Sequence, residues 1–188
     1  MDCLDDAVAE TRILARIKRM QMGNLGDWKS VGGGVHEMRI THGRGYRIYF
    51  TRRGTKMVIL LAGGTKRTQA ADIAKAQRMA SEVWGKEERA MKLTKFDAAA
   101  YLKSPRHMAL YLDACIREGG DDPAFIASAL GDIARARGMN DIAAEAGMTK
   151  AGLYKALSRK GNPSFGAILK VVHAMGLELH VTTRKRAA

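Results

Sequence analysis

The sequence predicts an α+β protein in two parts, a small antiparallel sheet with helices followed by an all-α helix-turn-helix domain with a short C-terminal strand. Three observations carry that prediction. Runs rich in β-branched and aromatic residues, parted by glycines, fall only between Val35 and Ala62, apart from a short alternating tail. Apolar residues at helical spacing dominate much of the remainder. Met139 to Arg159 reads as two short helices joined by a glycine turn.

In chain order, Ala7 to Met22 places Val8, Ile13, Leu14, Ile17 and Met20 on one side and Arg12, Arg16, Lys18 and Arg19 around the rest, an amphipathic helix ended by Gly23 and Gly26. Leu25 to Gly34 reads as a loop carrying Trp28. Its three glycines lack the Lys-Ser or Lys-Thr of a phosphate-binding loop. Val35–Ile40, Tyr46–Thr51 and Lys56–Ala62 form a three-stranded meander with turns at Gly43, Gly45 and Gly54. A helix from about Thr68 to Trp84 turns Ala71, Ile73, Ala74 and Met79 toward that sheet. Beyond it, Phe96–Leu102 and His107–Glu118 read as helices, the second opened by Ser104-Pro105. Asp122 caps a helix reaching Leu130 or, through Ala134, Arg137. Ser164 caps Phe165–Met175, whose Phe165, Ile168, Leu169 and Val172 make an apolar stripe, and Leu177 to Thr182 alternates like a short strand. Arg184-Lys185-Arg186 forms a basic tail.

Composition narrows the partners. The 188 residues carry 32 Lys and Arg against 19 Asp and Glu, a formal charge of +13, which favours polyanions such as DNA or RNA. Both halves share it, with net +7 in residues 1–90 and net +6 in residues 91–188. Cys3 and Cys115 stand far apart with no thiol at metal-ligand spacing, so neither a disulfide framework nor a metal site is expected, and no cofactor motif appears. The longest apolar run, Met57 to Ala62, is too short to span a bilayer, and the acidic N-terminus is unlike a signal peptide. A cytoplasmic address without membrane contact is the expectation.

The helical pair defines a candidate DNA surface. Gly147 permits the tight exit from the first helix, and Thr149 is placed to cap the second, Lys150 to Arg159, by accepting from a main-chain amide. Leu153 and Leu157 fall inward. Lys150, Ala151 and Tyr154 would then meet base edges in the major groove, while Asn140, Lys155, Arg159, Lys160 and Asn162 meet phosphates. The strands hold a second candidate. A turn near Gly43 sets Arg39 opposite Arg47 and Glu37 opposite Tyr49, with Met38 and Ile48 paired on the other face. Like charges across a ladder are unfavourable, so an anion between the arginines, with Arg44 and Lys66 at the same end, explains the register economically.

The run GVHEMRITHGRGYRIYFTRRG followed by LLAGGTKRTQAADIAKA resembles small toxins of the RelE/ParE superfamily, in particular the HigB-like addiction module killers. In the second half KFDAAAYL, ALGDIARARGM, GLYKALS, GNPSF and MGLEL resemble HigA-like addiction module antidotes, built on an Xre-type helix-turn-helix. The order of toxin before antidote matches such operons, and Met91-Lys92-Leu93-Thr94 looks like an antidote's own beginning. The resemblance implies a type II toxin–antitoxin fusion: toxin domain 1–84, charged linker 85–91 and antitoxin 92–188.

For the first half the resemblance implies a ribosome-dependent mRNA endonuclease in which a ribose 2′-hydroxyl attacks the adjacent phosphate, with Arg39, Arg47 and Lys66 at the basic catalytic positions. Glu37, His36 or His42 could accept a proton, Arg44 could contact RNA, and Asp72 stands roughly where some relatives carry a tyrosine. The ParE-like branch, which inhibits DNA gyrase, stays open as an alternative. Relatives also open with a strand and the first half of a helix, whereas this chain starts inside that helix at about Asp5. The resemblance therefore implies an uncovered sheet edge and a weakened toxin. For the second half it implies a dimer on a palindromic operator, supported by the Leu177–Thr182 strand, and repression of its own operon. Toxin–antitoxin contact within or between chains, an active endonuclease restrained in cis, and a degenerate fusion regulating other genes all remain open.

Overall fold

The computed structural model describes residues 3–54, 57–84, 93–181 and 183, and divides into two compact units, Met1–Phe96 and Asp97–Ala188. The expected linker 85–91, Lys56, Thr182 and the tail 184–186 lie outside the described residues.

The first unit opens with α1, Cys3–Gln21, which buries Ala9, Leu14, Ala15, Ile17 and Met20. Its cationic side is less open than an amphipathic reading implies, since Arg16 and Lys18 are buried too. Gly23, at φ 92, closes the helix with its amide on the Met20 carbonyl at 2.9 Å. Four strands follow among the described residues, in the antiparallel order β1 (Trp28–Ser30), β2 (Val35–Ile40), β3 (Tyr46–Arg53), β4 (Met57–Thr65).

That corrects the three-stranded meander, because Trp28–Ser30 is a strand rather than part of a loop, paired with Met38, Glu37 and His36. Gly32, at φ 85, lets the chain reverse, and the Val31 amide bonds the Val35 carbonyl at 3.0 Å. Three residues are too few to display an alternation. β4 also runs past Ala62 through Gly63, Gly64 and Thr65, with a register irregularity at Tyr49/Phe50 that accommodates the extra residue. Between β2 and β3 the register is the expected one: Arg39 faces Arg47, Glu37 faces Tyr49 and Met38 faces Ile48.

Strand alternation gives the sheet two apolar faces. Met38, Ile40, Ile48 and Phe50 pack with Ile17 and Met20 of α1. Val35, Tyr49, Ile59 and Leu61 pack with Ala76 and Ala80 of α2, Gln69–Trp84, which follows a 3-10 turn over Lys66–Thr68. Each large side chain removed from water in this way is worth roughly 2 kcal/mol. Trp84 Nε1 adds a bond to Thr51 Oγ1 at 2.9 Å.

The expected helix Phe96–Leu102 is not formed in full: at the start of the second unit only Ala98–Tyr101 turns, as one 3-10 turn capped by Asp97, ending as Leu102 leaves helical geometry. α3 (Pro105–Gly119) and α4 (Pro123–Arg137) carry the expected caps, Ser104 accepting from the His107 amide and Asp122 from the Ala124 and Phe125 amides. α4 is the central helix, buried at Phe125 and at every position from Ala127 to Ala134. Its small residues allow close packing, and a Cβ on Gly131 would lie 2.9 Å from the Leu157 carbonyl oxygen. Two polar contacts tie this unit, with Tyr111 Oη donating to Asp132 Oδ2 at 2.7 Å and Arg135 bridging Asp132 and Asp97. Burial, with the neighbouring Cys115 and Asp132, pushes the Tyr111 hydroxyl pKa up.

α5 (Met139–Glu145), α6 (Lys150–Ala156) and α7 (Phe165–Ala174) complete the unit. Three expectations need correction. α6 stops at Ala156 rather than Arg159, because Leu157 leaves the helical region and Gly161 closes back on the Ser158 carbonyl. In α7 the core side is Val171, Val172 and Ala174, followed by Met175, whereas Phe165 is 70% exposed and Ile168 and Leu169 are half-buried. That helix is apolar on most sides, so periodicity cannot select its buried face. Leu177–Val181 forms no strand among the described residues, and an alternating segment without a partner gains no ladder bonds. No helix of the described residues is long and apolar enough to cross a membrane.

Candidate functional site

On the α2 face of the sheet, the β2–β3 register gathers a charged cluster around Glu37. Its carboxylate is fully buried, with Arg39 Nε at 3.1 Å, Arg47 Nε at 3.5 Å and Lys29 Nζ at 3.5 Å. Gln69 donates to it at 2.7 Å and Tyr49 Oη at 3.4 Å. Burial alone would raise the Glu37 pKa, but the bond from Arg39, the charges of Lys29 and Arg47, and Gln69 outweigh it and hold the carboxyl below its ordinary value. The same burial, with Glu37 beside it, pushes the Tyr49 hydroxyl up to about 12. An anion does lie beside the arginine pair, and it is the chain's own.

One carboxylate against three cations leaves the cluster positive. Arg47 Nη1 donates to the Gly45 carbonyl at 2.9 Å, while its buried Nε makes no hydrogen bond and has only the ion-pair contact with Glu37. The same Gly45 carbonyl accepts from the Lys66 amide at 3.2 Å, so one backbone oxygen brings Lys66 to the Arg47 end of the sheet. Asp72 takes the Thr68 hydroxyl at 2.6 Å and packs over Gly64, the residue opposite Arg47, where any Cβ would overlap its carboxylate. Arg39 is 56% exposed, which leaves its guanidinium open to solvent above the buried pair.

The sequence-predicted residues therefore divide. Glu37, Arg39 and Arg47 are joined by direct contacts, and Lys66 and Asp72 are held at the same end by main-chain and glycine geometry. Arg44 is exposed in the turn before β3, and His42, half-buried there, has an Nε2 without a hydrogen bond. His36 lies on the opposite face, edge-on to Trp28 at 4.6 Å, because successive strand residues point opposite ways. Burial first, and then Arg52, lowers its pKa. Sequence reading missed Lys29, in a strand it read as loop, and the roles of Tyr49, Thr68 and Gln69. The motif spacing in GGTKRTQ held the only signal for the last two.

The second unit presents the helical pair. Gly147, at φ 63, makes the turn, and Thr149 Oγ1 accepts from the Gly152 amide at 3.0 Å to start α6. Leu153 and Leu157 are buried, while Lys150, Ala151, Tyr154 and Lys155 face solvent, Tyr154 being 48% exposed. Asn140, at the start of α5, shares with Lys150 and Tyr154 a groove of about 720 Å³ that also includes Asp141 and Arg135. Arg159, Lys160 and Asn162 are exposed in the segment after α6.

With both sites in place, comparison with known proteins decides the family. Residues 1–81 match the family described as phage derived protein Gp49-like, and residues 92–183 match that described as probable addiction module antidote protein. The chain belongs to both families, one in each half. It is a toxin–antitoxin fusion in domain content. Two curated Haemophilus influenzae proteins, each described as an uncharacterized protein, are similar to parts of it. One is 48% identical over 89 residues, 47% of this chain and 90% of the relative. The other is 51% identical over 75 residues, 40% of this chain and 76% of the relative. No solved structure matches the fusion.

Proposed function

We propose that the fusion binds operator DNA through α5 and α6 of its antidote unit, as a cytoplasmic homodimer of the HigA-like, Xre type, and represses its own operon. The observation that carries this is α6 itself, anchored by Leu153 and Leu157 and started by Thr149, with Lys150, Ala151, Tyr154 and Lys155 exposed together. Those positions suit base edges at the N-terminal end of a recognition helix, and Asn140, Arg159, Lys160 and Asn162 suit phosphates. Binding of the full chain to its upstream DNA tests this. Lys150→Ala and Tyr154→Ala should lower selectivity for the operator over unrelated duplex by roughly tenfold each. Arg159→Ala should weaken all duplexes alike and reduce the salt slope by about one. Unchanged binding in all three removes the docking.

A second reading, of a HigB-like ribosome-dependent mRNA endonuclease restrained by the antidote unit, is favoured by the excess of three cations over the one buried carboxylate, with Arg39 open to solvent. In this reading Arg39, Arg47 and Lys66 hold the scissile phosphate and stabilise the charge that builds as the 2′-hydroxyl attacks. Glu37, kept ionised and buried, orients the arginines. Asp72 and His42 are the remaining candidates for proton transfer, and Arg44 for an RNA contact. Ribosome-bound mRNA should be cut by a folded Met1–Phe96 fragment and spared by the full chain. Cleavage unaffected by Arg47→Ala would exclude this assignment.

A further inference from the structure

We propose that Trp28, with the Arg52 guanidinium over its ring, is a binding site for one unpaired base of single-stranded RNA, on the face of the sheet opposite Arg39 and Arg47. The inference rests on the reading of the first unit as RNA-binding and adds a site which that reading does not contain. Trp28 lies in the three-residue strand β1 and is 38% exposed, beside a core in which Phe50 is fully buried. Its ring is fixed from one side, with His36 edge-on at 4.6 Å and Phe50 edge-on at 6.5 Å. Arg52 lies over the ring with its guanidinium carbon 5.7 Å from the centroid.

The guanidinium therefore lies within cation–π range of the indole face. An outward swing of the arginine would admit a base with the indole beneath and the guanidinium above. Among the described residues Arg52 has no carboxylate partner, so no ion pair opposes the swing. An aromatic plane and an arginine grip any base, and the net +7 of residues 1–90 favours the phosphates that come with it. Lys29, the next residue in β1, points to the other face and reaches Glu37, so a strand passing over the β1 edge would run from the stacked base to the arginine cluster.

The test uses the full chain with a short labelled oligouridine, read by anisotropy and by tryptophan fluorescence. Trp28 and Trp84 are its two tryptophans, so Trp84→Phe isolates the signal of Trp28. RNA should quench Trp84→Phe, Trp28→Leu should weaken RNA binding about tenfold, and Arg52→Gln a few-fold, with duplex DNA bound as before. Arg52→Gln also covers the case in which Trp28→Leu fails to fold. RNA that binds without quenching Trp28, or equally tightly to folded Trp28→Leu and Arg52→Gln, overturns the site while leaving the RNA reading intact. RNA that does not bind the wild-type chain overturns both. Quenching caused by raising protein concentration alone would assign the ring to a protein contact and overturn the site as well.

Discussion

Replacing Glu37 with glutamine keeps the shape of the buried side chain and removes its charge. The Arg47 Nε lies 3.5 Å away and both groups are buried, which at an effective dielectric near 20 corresponds to about 5 kcal/mol of attraction. Lys29 and Arg39 are 48% and 56% exposed, so solvent screens them and together they add roughly 1 kcal/mol. Glutamine recovers part of this, because a neutral amide is cheaper to bury and still bonds to Tyr49 or Gln69. The expected net loss is about 3 kcal/mol, in keeping with removal of one partner from a buried pair. Both tryptophans lie in the first unit, so urea unfolding followed by their fluorescence reports that unit by itself. With a denaturant slope near 1.5 kcal/mol per molar, the midpoint should fall by about 2 M. Acid should narrow the difference. The folded-state pKa of Glu37 is depressed, so its contribution is present above the ordinary carboxyl pKa and lost as pH falls through the folded value. A midpoint change below about 0.5 M at neutral pH would refute the view that this carboxylate organises the arginines.

Gly64→Ala should cost about 2 kcal/mol, since its methyl overlaps the Asp72 carboxylate; fluorescence-monitored unfolding of the single variant and of Gly64→Ala with Asp72→Ala should show partial rescue in the double. The His36 pKa is lowered by burial and Arg52, so the folded state binds fewer protons there, and stability should fall as pH drops below about 6.5. His36→Phe should flatten that part of the urea-midpoint profile. Thr149→Ala removes the cap on α6 and should cost about 1 kcal/mol, read as roughly fivefold faster hydrogen exchange at the Gly152 amide.

The sheet register was legible because turn glycines and strand alternation leave one solution: with the chain reversing at His42 to Gly45, Arg39 must face Arg47 and Glu37 must face Tyr49. The caps at Ser104, Asp122, Thr149 and Ser164 were legible for the same reason, being local bonds between a side chain and amides two or three residues ahead. What needed the tertiary structure was every feature whose partner is remote in the chain. Trp28–Ser30 is a strand only because β2 lies beside it, and Leu177–Val181 is none because nothing described pairs with it. The α7 sequence is apolar on most sides, so the packing against its neighbours, rather than its periodicity, chose Val171, Val172 and Ala174 over Phe165. The arginine pair announced an anion. That Glu37 is this anion, tied to Gln69 from 32 residues away, was decided only by burial and distance. Local bonds are written in spacing along the chain, whereas burial and ion pairing depend on which distant surfaces meet.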